Sequence, residues 1–485
     1  MTRTMSSVNI DVGLGTEDEP VLGRSPDDPF RIVLVGDFGG RASRHEPRLL
    51  RDPLLVDPDN FDELMERLGA GLELSGGGVD ISPRFRGLDD FHPDHLYATL
   101  PVFQTLRQAR AELANPATFR AATTSRPASP PPPPLPSPPP AKAFSGSLLD
   151  QILEETAEPA APAPPALDRD ASWNDVIGRI VRPHLQPKAD ARQQEAVAQV
   201  DAAAGALLRA ILSHPQFQAL EAAWRSVFFL LQRLETGVEL KLYLLDITRE
   251  ELLEAARSGH PLTRDGWSAA ACLHSFVPTE GDCAALAGLA SLARQAGGPI
   301  FAGMDPLLMG CESMAATPDA DDWQKPLAQA SLRAWQHLRR LPDARWLGLA
   351  MPRMLLRLPY GAATSAAESF DFEEMPQPPT HEAYLWGSPA VACVCLLGQA
   401  FRARGWQMHP GLRNMIDGLP AHTYRVDGEP RMTPPGETWL TDRIADKILD
   451  QGVMPLASSK SGDTILLVRS QSIADPVRAL AGPWE

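Results

Sequence analysis

The stretch SHPQFQALEAAWRSVFFLLQRLETGVELKLYL, residues 213–244, reads as a helix followed by a strand. Ser213-His214-Pro215 is a helix start, with a polar cap before a proline whose φ is already helical. Leu220, Trp224, Val227, Leu231 and Leu234 then recur at helical spacing, and Gly237 ends the run. From Val238 the period changes to two: Val238, Leu240, Leu242 and Leu244 on one face, Glu239, Lys241 and Tyr243 on the other. The same alternation continues downstream. Strands are predicted over 273–277, 299–302, 346–350 and 464–468, and helices over 281–296, 325–340 and 389–404. The fold class this implies is α/β, with a largely buried sheet. Trp224, Phe228 and Leu231 are its predicted core.

Upstream, residues 1–28 are polar and acidic and read as a tail. Arg31-Ile32-Val33-Leu34-Val35 is a short apolar strand that runs into the turn Gly36-Asp37-Phe38-Gly39-Gly40. The turn lacks both the GxGxxG spacing and a following GK[ST], so it is read as a strand end and not a phosphate loop. Asp59-Asn60 caps a helix bearing Phe61, Leu64, Met65 and Leu68, and a second helix starts near Pro93 and carries Leu96, Leu100, Phe103, Leu106 and Leu113. Residues 29–120 are therefore predicted as a small α/β or α+β domain, near the size that can just bury its own core. Residues 121–170 are read as a linker. Ten of the fourteen residues from Pro127 to Pro140 are proline, a polyproline spacer, and 148–154 is a short amphipathic docking helix. Residues 171–485 form the large domain.

Composition excludes several functions. The 485 residues carry 45 Lys+Arg against 61 Asp+Glu, a net charge of −16, which argues against nucleic-acid binding. The amino terminus lacks the basic-then-apolar order of a signal peptide. The apolar runs 227–231 and 390–397 fall far short of the ~20 residues of a membrane span. Five cysteines, with no paired zinc spacing around Cys393-x-Cys395, read as reduced core thiols of a cytoplasmic protein.

Three constellations invite chemistry. The segment 89–95 holds Asp89, Asp90, His92, Asp94 and His95, potential metal ligands, but its order is also that of a helix start. The acidic–aromatic run Glu368-Ser369-Phe370-Asp371-Phe372-Glu373-Glu374 offers paired carboxylates; more simply, it turns Phe370 and Phe372 inward and presents its acids to a basic partner. Arg353, Arg357 and Arg339-Arg340 flank apolar runs and suit an anion or inter-subunit ion pairs. His422 reads as structural. Without a GxSxG or HExxH signature, no enzyme, cofactor or metal is indicated. Arg353, Arg357, Asp371, Glu373 and Glu374 remain as interaction candidates.

Longer strings are more specific. Residues 207–225, Pro352-Arg353 with Arg357-Leu358-Pro359-Tyr360-Gly361, Phe370-Asp371-Phe372-Glu373-Glu374, Tyr384-Leu385-Trp386-Gly387, Gly418-Leu419-Pro420-Ala421-His422-Thr423, Thr441-Asp442-Arg443 and Gln471-Ser472-Ile473 resemble, in order, the large subunit of the type VI secretion contractile sheath (TssC, ImpC, EvpB) over about 173–475. Val33–Gly36, Asp59–Met65 and Leu88–Pro93 resemble the small sheath subunit (TssB, VipA). The resemblance implies a non-enzymatic, cytoplasmic structural component. Its partners would be other sheath subunits, an inner tube protein, a baseplate and an AAA+ recycling ATPase, with no nucleic acid and no membrane insertion. Heterologous interfaces and strands shared between subunits belong to that picture. Large subunits usually continue well past the segment that matches Gln471-Ser472-Ile473. The alternative is therefore a sheath-like accessory or adaptor that nucleates or terminates assembly without polymerising.

Overall fold

The computed structural model describes residues 28–44, 46, 52–76, 79–115, 193–460 and 462–484. The tail 1–27, the proline-rich stretch and the docking helix predicted at 148–154 lie outside the described residues.

The strand Phe30–Gly36 (β1) is apolar on both faces, with Phe30, Ile32 and Leu34 on one and Val33 and Val35 on the other. Such a strand requires a covered sheet on both sides. It finds one far away in sequence. β1 pairs in parallel with Leu240–Asp246 (β5) along its whole length and with Ala269–Phe276 (β6) on its other side. With Leu54–Val56 (β2), Leu74–Gly76 (β3) and Val79–Ile81 (β4) numbered in chain order, the main sheet also takes in Ile300–Met304 (β7) and Leu347–Met351 (β8). Short pieces Met354–Leu355 (β9), Trp386–Gly387 (β10) and Met415–Ile416 (β11) follow. Next come the hairpin His422–Val426 (β12) and Glu429–Thr433 (β13), then Met454–Ser458 (β14) and Ile465–Leu467 (β15). The nine-stranded order is β11-β15-β14-β8-β7-β6-β1-β5-β2. β2 at one edge runs antiparallel to β5, and β15 runs antiparallel to β14.

Helices cover both faces. In chain order they are Arg41–Arg44 (α1), Phe61–Leu68 (α2), Pro93–Thr99 (α3), Gln104–Ala114 (α4), Gln193–Leu212 (α5), Pro215–Arg233 (α6), Arg249–Ser258 (α7), Glu280–Ala296 (α8), Gln329–Arg340 (α9), Pro389–Arg404 (α10) and Asp442–Asp450 (α11). The core containing Ile32 and Leu34 takes in α2 to α6 and α10; the core containing Val33 and Val35 takes in α7, α8, α9 and α11. The result is a three-layer α/β/α body.

Several local readings hold. The buried face of α2 is Phe61, Leu64, Met65 and Leu68, though Asn60 before it makes no side-chain cap and instead accepts the Asp57 N–H at 2.9 Å. His214 accepts the Gln216 N–H through Nδ1, and Pro215 opens α6. α10 spans 389–404 as predicted. Others are corrected. Phe228 is 39% exposed, on the outer side of α6. Val238 precedes β5 and is 87% exposed. The helix predicted from Pro93 stops at Thr99, because Pro101 has no N–H to continue it and Leu100 turns extended. β6 begins at Ala269, four residues before the predicted strand, because its alanine run carries little strand propensity.

Among its described residues, the small unit 29–120 also has no core of its own. Its strands β1 and β2 are an interior strand and an edge strand of the sheet otherwise built from 240–467, and its apolar residues merge with those of α5, α6 and α10. Trp224 of α6, fully buried, lies against Phe38 and Phe61 and donates Nε1–H to the Phe38 carbonyl at 2.9 Å. The end of α4 and the start of α5 meet: the Gln193 side chain donates to the carbonyls of Leu113 and Ala114 at 2.8 and 3.1 Å.

Two expectations follow. Trp224→Ala should lower unfolding free energy by about 3–5 kcal/mol in urea titration. Deleting 121–147 should leave the cooperative melt of the full chain unchanged, whereas residues 29–115 alone should show none.

Candidate functional site

Glu221 lies on the buried side of α6, at i+4 from Phe217 and i−3 from Trp224, and is fully buried. A lone carboxylate there would be prohibitive. Arg357 meets it: Nε and Nη2 donate to the two Glu221 oxygens at 2.7 and 3.1 Å. The same guanidinium donates Nη1 and Nη2 to Glu374 at 2.7 and 2.9 Å. Arg225, one turn along α6, adds a bond to Glu221 at 2.7 Å and one to the Tyr360 hydroxyl at 2.9 Å. The Tyr360 N–H donates to Glu374, and its ring lies 4.0 Å from the Arg357 guanidinium carbon. Burial opposes ionisation of Arg357, but the two carboxylates outweigh it and hold the guanidinium charged. Burial likewise opposes the Glu221 charge, and Arg357 with Arg225 more than offsets it, lowering that carboxyl. Burial pushes the Tyr360 hydroxyl up to about 12.

This knot closes the base of a strap, residues 358–374, laid across α3. Asp94 accepts the N–H groups of Glu368 and Ser369 at 2.8 and 2.9 Å. Phe370 packs on Tyr97, and Tyr360 on His92. Phe370 and Phe372 are buried, as the alternation predicts, and Asp371 is exposed between them. Glu373 is exposed, accepts the Ala362 N–H at 2.9 Å, and its carbonyl accepts from Arg209 at 3.1 Å.

A second knot sits at the end of β1. Asp246, the last residue of β5, accepts the Phe38 and Gly39 N–H groups at 2.9 Å each. Arg41, 1% exposed, donates Nε to Asp246 at 2.9 Å and Nη1 to Glu251 at 2.8 Å. Glu251 also completes the capping box of α7 with Thr248. Asp37 accepts the N–H groups of Arg41 and Ala42. Sequence reading misses this knot; an arginine in the turn after an apolar strand and an aspartate ending another are its only local signals.

A third pairing is more open. Arg353 is exposed and donates to Glu437 through its N–H at 2.8 Å and its Nε at 2.9 Å, while His381 Nε2 lies 3.0 Å from the same carboxylate. Burial opposes the Glu437 charge, but His381 and Arg353 prevail and bring its carboxyl down to about 2.

Of the five sequence candidates, the structure joins Arg357 and Glu374 to each other inside one chain. It places Arg353 on Glu437 and leaves Asp371 and Glu373 at the surface. Arg339 is tied to the Ile473 and Asp450 carbonyls, and His422 Nδ1 lies 2.8 Å from the Tyr384 hydroxyl. The 89–95 residues have structural roles: His92 caps α3, Asp94 anchors the strap, and His95 lies 3.2 Å from Asp90. Among the described residues, no group of three or more His, Cys, Asp or Glu side chains is placed to hold a metal ion. All five cysteines are buried and unbridged, and burial pushes the Cys393 and Cys395 thiols up to about 12. Among the described residues, no single helix is long and apolar enough to cross a membrane.

The Arg41 knot and the Asp94 contacts under the strap join the segment before the linker to the segment after it, and the two segments match two families. Residues 194–266 and 265–474 match the family described as EvpB/VC_A0108, tail sheath N-terminal domain (VipB). The chain belongs to this tail sheath family. Residues 24–119 match the family described as Type VI secretion system, VipA, VC_A0107 or Hcp2. The type VI secretion system sheath protein TssC1 of Pseudomonas aeruginosa is 30% identical over 305 residues, 58% of this chain and 61% of the relative. The chain thus spans about three fifths of that relative's length. In this member of the tail sheath family, the regions that match the two families share one sheet.

Arg357→Ala leaves Glu374 buried without its cation and Glu221 with Arg225 alone, and should cost about 3–5 kcal/mol in urea unfolding. Glu437 predicts an acid dependence. Its carboxyl lies below the ordinary 4.5 when folded, so it contributes stability that is fully present above that pH and lost as pH falls toward 2. Glu437→Gln should flatten stability over that window by about 1–3 kcal/mol relative to the parent.

Proposed function

We propose that the protein is a structural component of the type VI secretion contractile sheath, in which a small-subunit-like part and a large-subunit-like part are joined in one polypeptide. The observation that carries this reading is the position of β1: the VipA-like segment supplies an interior strand of the VipB-like sheet. An obligate pair is thereby tethered at fixed stoichiometry, and the linker raises the effective concentration of one part at the other.

The chemistry fits a mechanical role. The buried charges described above are paired to each other or to backbone groups, which serves rigidity and register. The open cleft of about 330 Å³ at the carboxyl ends of β1 and β6 contains Asp37, His274 and Arg353. His274 Nε2 is bound to the Ile247 carbonyl at 3.0 Å, and burial favours its neutral form. Asp37 is engaged by backbone N–H groups and Arg353 by Glu437. No catalytic function is proposed. The proposed partners are sheath subunits first, then an inner tube protein, a baseplate and the recycling ATPase, in the cytoplasm.

Negative-stain imaging of the full chain, alone and co-expressed with its neighbouring secretion-system gene products, tests the reading. Tubes or ring fragments that contain the chain are expected. Discrete particles that bind sheath or baseplate without polymerising would convert it to the accessory role. Absence of both would overturn it.

A further inference from the structure

In a chain with a net charge of −16, one corner of the surface is basic. α9 is held to the core by Trp335 and Leu338, and its outer side exposes Arg333, His337 and Arg340, at i, i+4 and i+7. Arg345 is exposed in the turn that follows. Residues 475–481 cross the same corner: the Asp475 N–H donates to the Arg339 carbonyl at 2.9 Å and the Ala481 N–H to the Arg345 carbonyl at 2.8 Å. Between these anchors Pro476, Val477, Arg478 and Ala479 are all exposed, Val477 by 56%. The corner therefore has a small apolar centre within an arginine rim, the composition of a protein-binding face. Among the described residues, none pairs with the side chains of Arg333, Arg340, Arg345 or Arg478. Of the nearby acids, Asp343 is held by Arg294 at 3.1 Å, and Asp475 and Asp450 lie close enough to Arg339 to act on its charge.

The opposite layer carries the complement. The exposed side of α2 and its preceding turn present Asp59, Asp62, Glu63 and Glu66, with Arg67 the one cation on that helix; Glu66 lies 3.8 Å from Arg86. Beside it Phe228, packed on Phe61, is exposed. α2 is anchored in the core on one side of the sheet and α9 in the core on the other. The two exposed faces point apart, so they cannot meet within one subunit. Complementary faces on opposite sides of one molecule make a heterologous contact that propagates.

We propose that the Val477-centred basic corner docks on the acidic α2 face of a second copy of this chain, joining copies head to tail. This rests on the reading of the chain as a sheath component and adds a specific contact to it. Rim charges of this kind set specificity and association rate and are screened by salt.

Sedimentation of the full chain from about 0.05 M to about 0.5 M salt tests the contact. Self-association is expected to weaken as salt rises. R340E/R345E and, separately, D62K/E63K should each weaken it about tenfold or more at low salt, and the four substitutions combined should restore it. Circular dichroism of each variant should match the parent, since every altered side chain is exposed. No self-association in the parent, indifference to R340E/R345E, or failure of the combined set to restore it would each overturn the contact. Its failure is distinct from that of the sheath reading. A chain that enters tubes without salt-sensitive self-association refutes only the contact, whereas one that self-associates but never enters sheath refutes only the reading.

Discussion

The whole body depends on β1 lying between β5 and β6. A strand apolar on both faces has no stable place at a surface, and only an interior position of a covered sheet satisfies its side chains and backbone together. Seven register pairs with β5 and four with β6 supply that position. Once β1 is seated, the turn after it must also be buried, and its backbone needs partners. Asp246 provides them through the Phe38 and Gly39 N–H groups, and Arg41 neutralises Asp246 and Glu251 in turn. The charge knot follows from the strand position, because a buried carboxylate is tolerable only with a cation beside it.

The Arg357 knot follows the same logic on the other side of α6. Glu221 is held by Arg357 and Arg225, and Glu374 anchors the strap that crosses α3. Breaking such a pair costs much more than the pair contributes over an apolar substitute. The Arg41 knot, with Asp94 bound under the strap that Glu374 anchors, therefore specifies one docking of the VipA-like part against the rest and disfavours shifted alternatives. The joint between the two parts cannot slide without stranding charge.

The sequence identifies Arg357 and Glu374 as charges beside apolar runs but assigns them outward. Their mutual pairing depends on Glu221, 136 residues from Arg357. The one local hint is Glu221 itself, an acid between Phe217 and Trp224 on an otherwise apolar side. Arg41 and Asp246 are 205 residues apart, and no periodicity relates positions that distant. The prediction of a separately cored small unit fails for a related reason. Its first helix and first strand are legible as elements, but periodicity shows that a face is apolar and not which face covers it.

What residues alone determine here is local or familial. Period places α2, caps and period place α6 and α10, alternation turns Phe370 and Phe372 inward, and the sequence ties 194–474 to the tail sheath family and 24–119 to the VipA family. Tertiary structure alone decides that these parts share one sheet, that Arg357 and Arg41 are internal clasps, and that basic and acidic faces point apart. The physical reason is range. Backbone geometry and side-chain period act over a few residues, whereas burial and charge pairing are settled only when segments hundreds of residues apart exclude water between them.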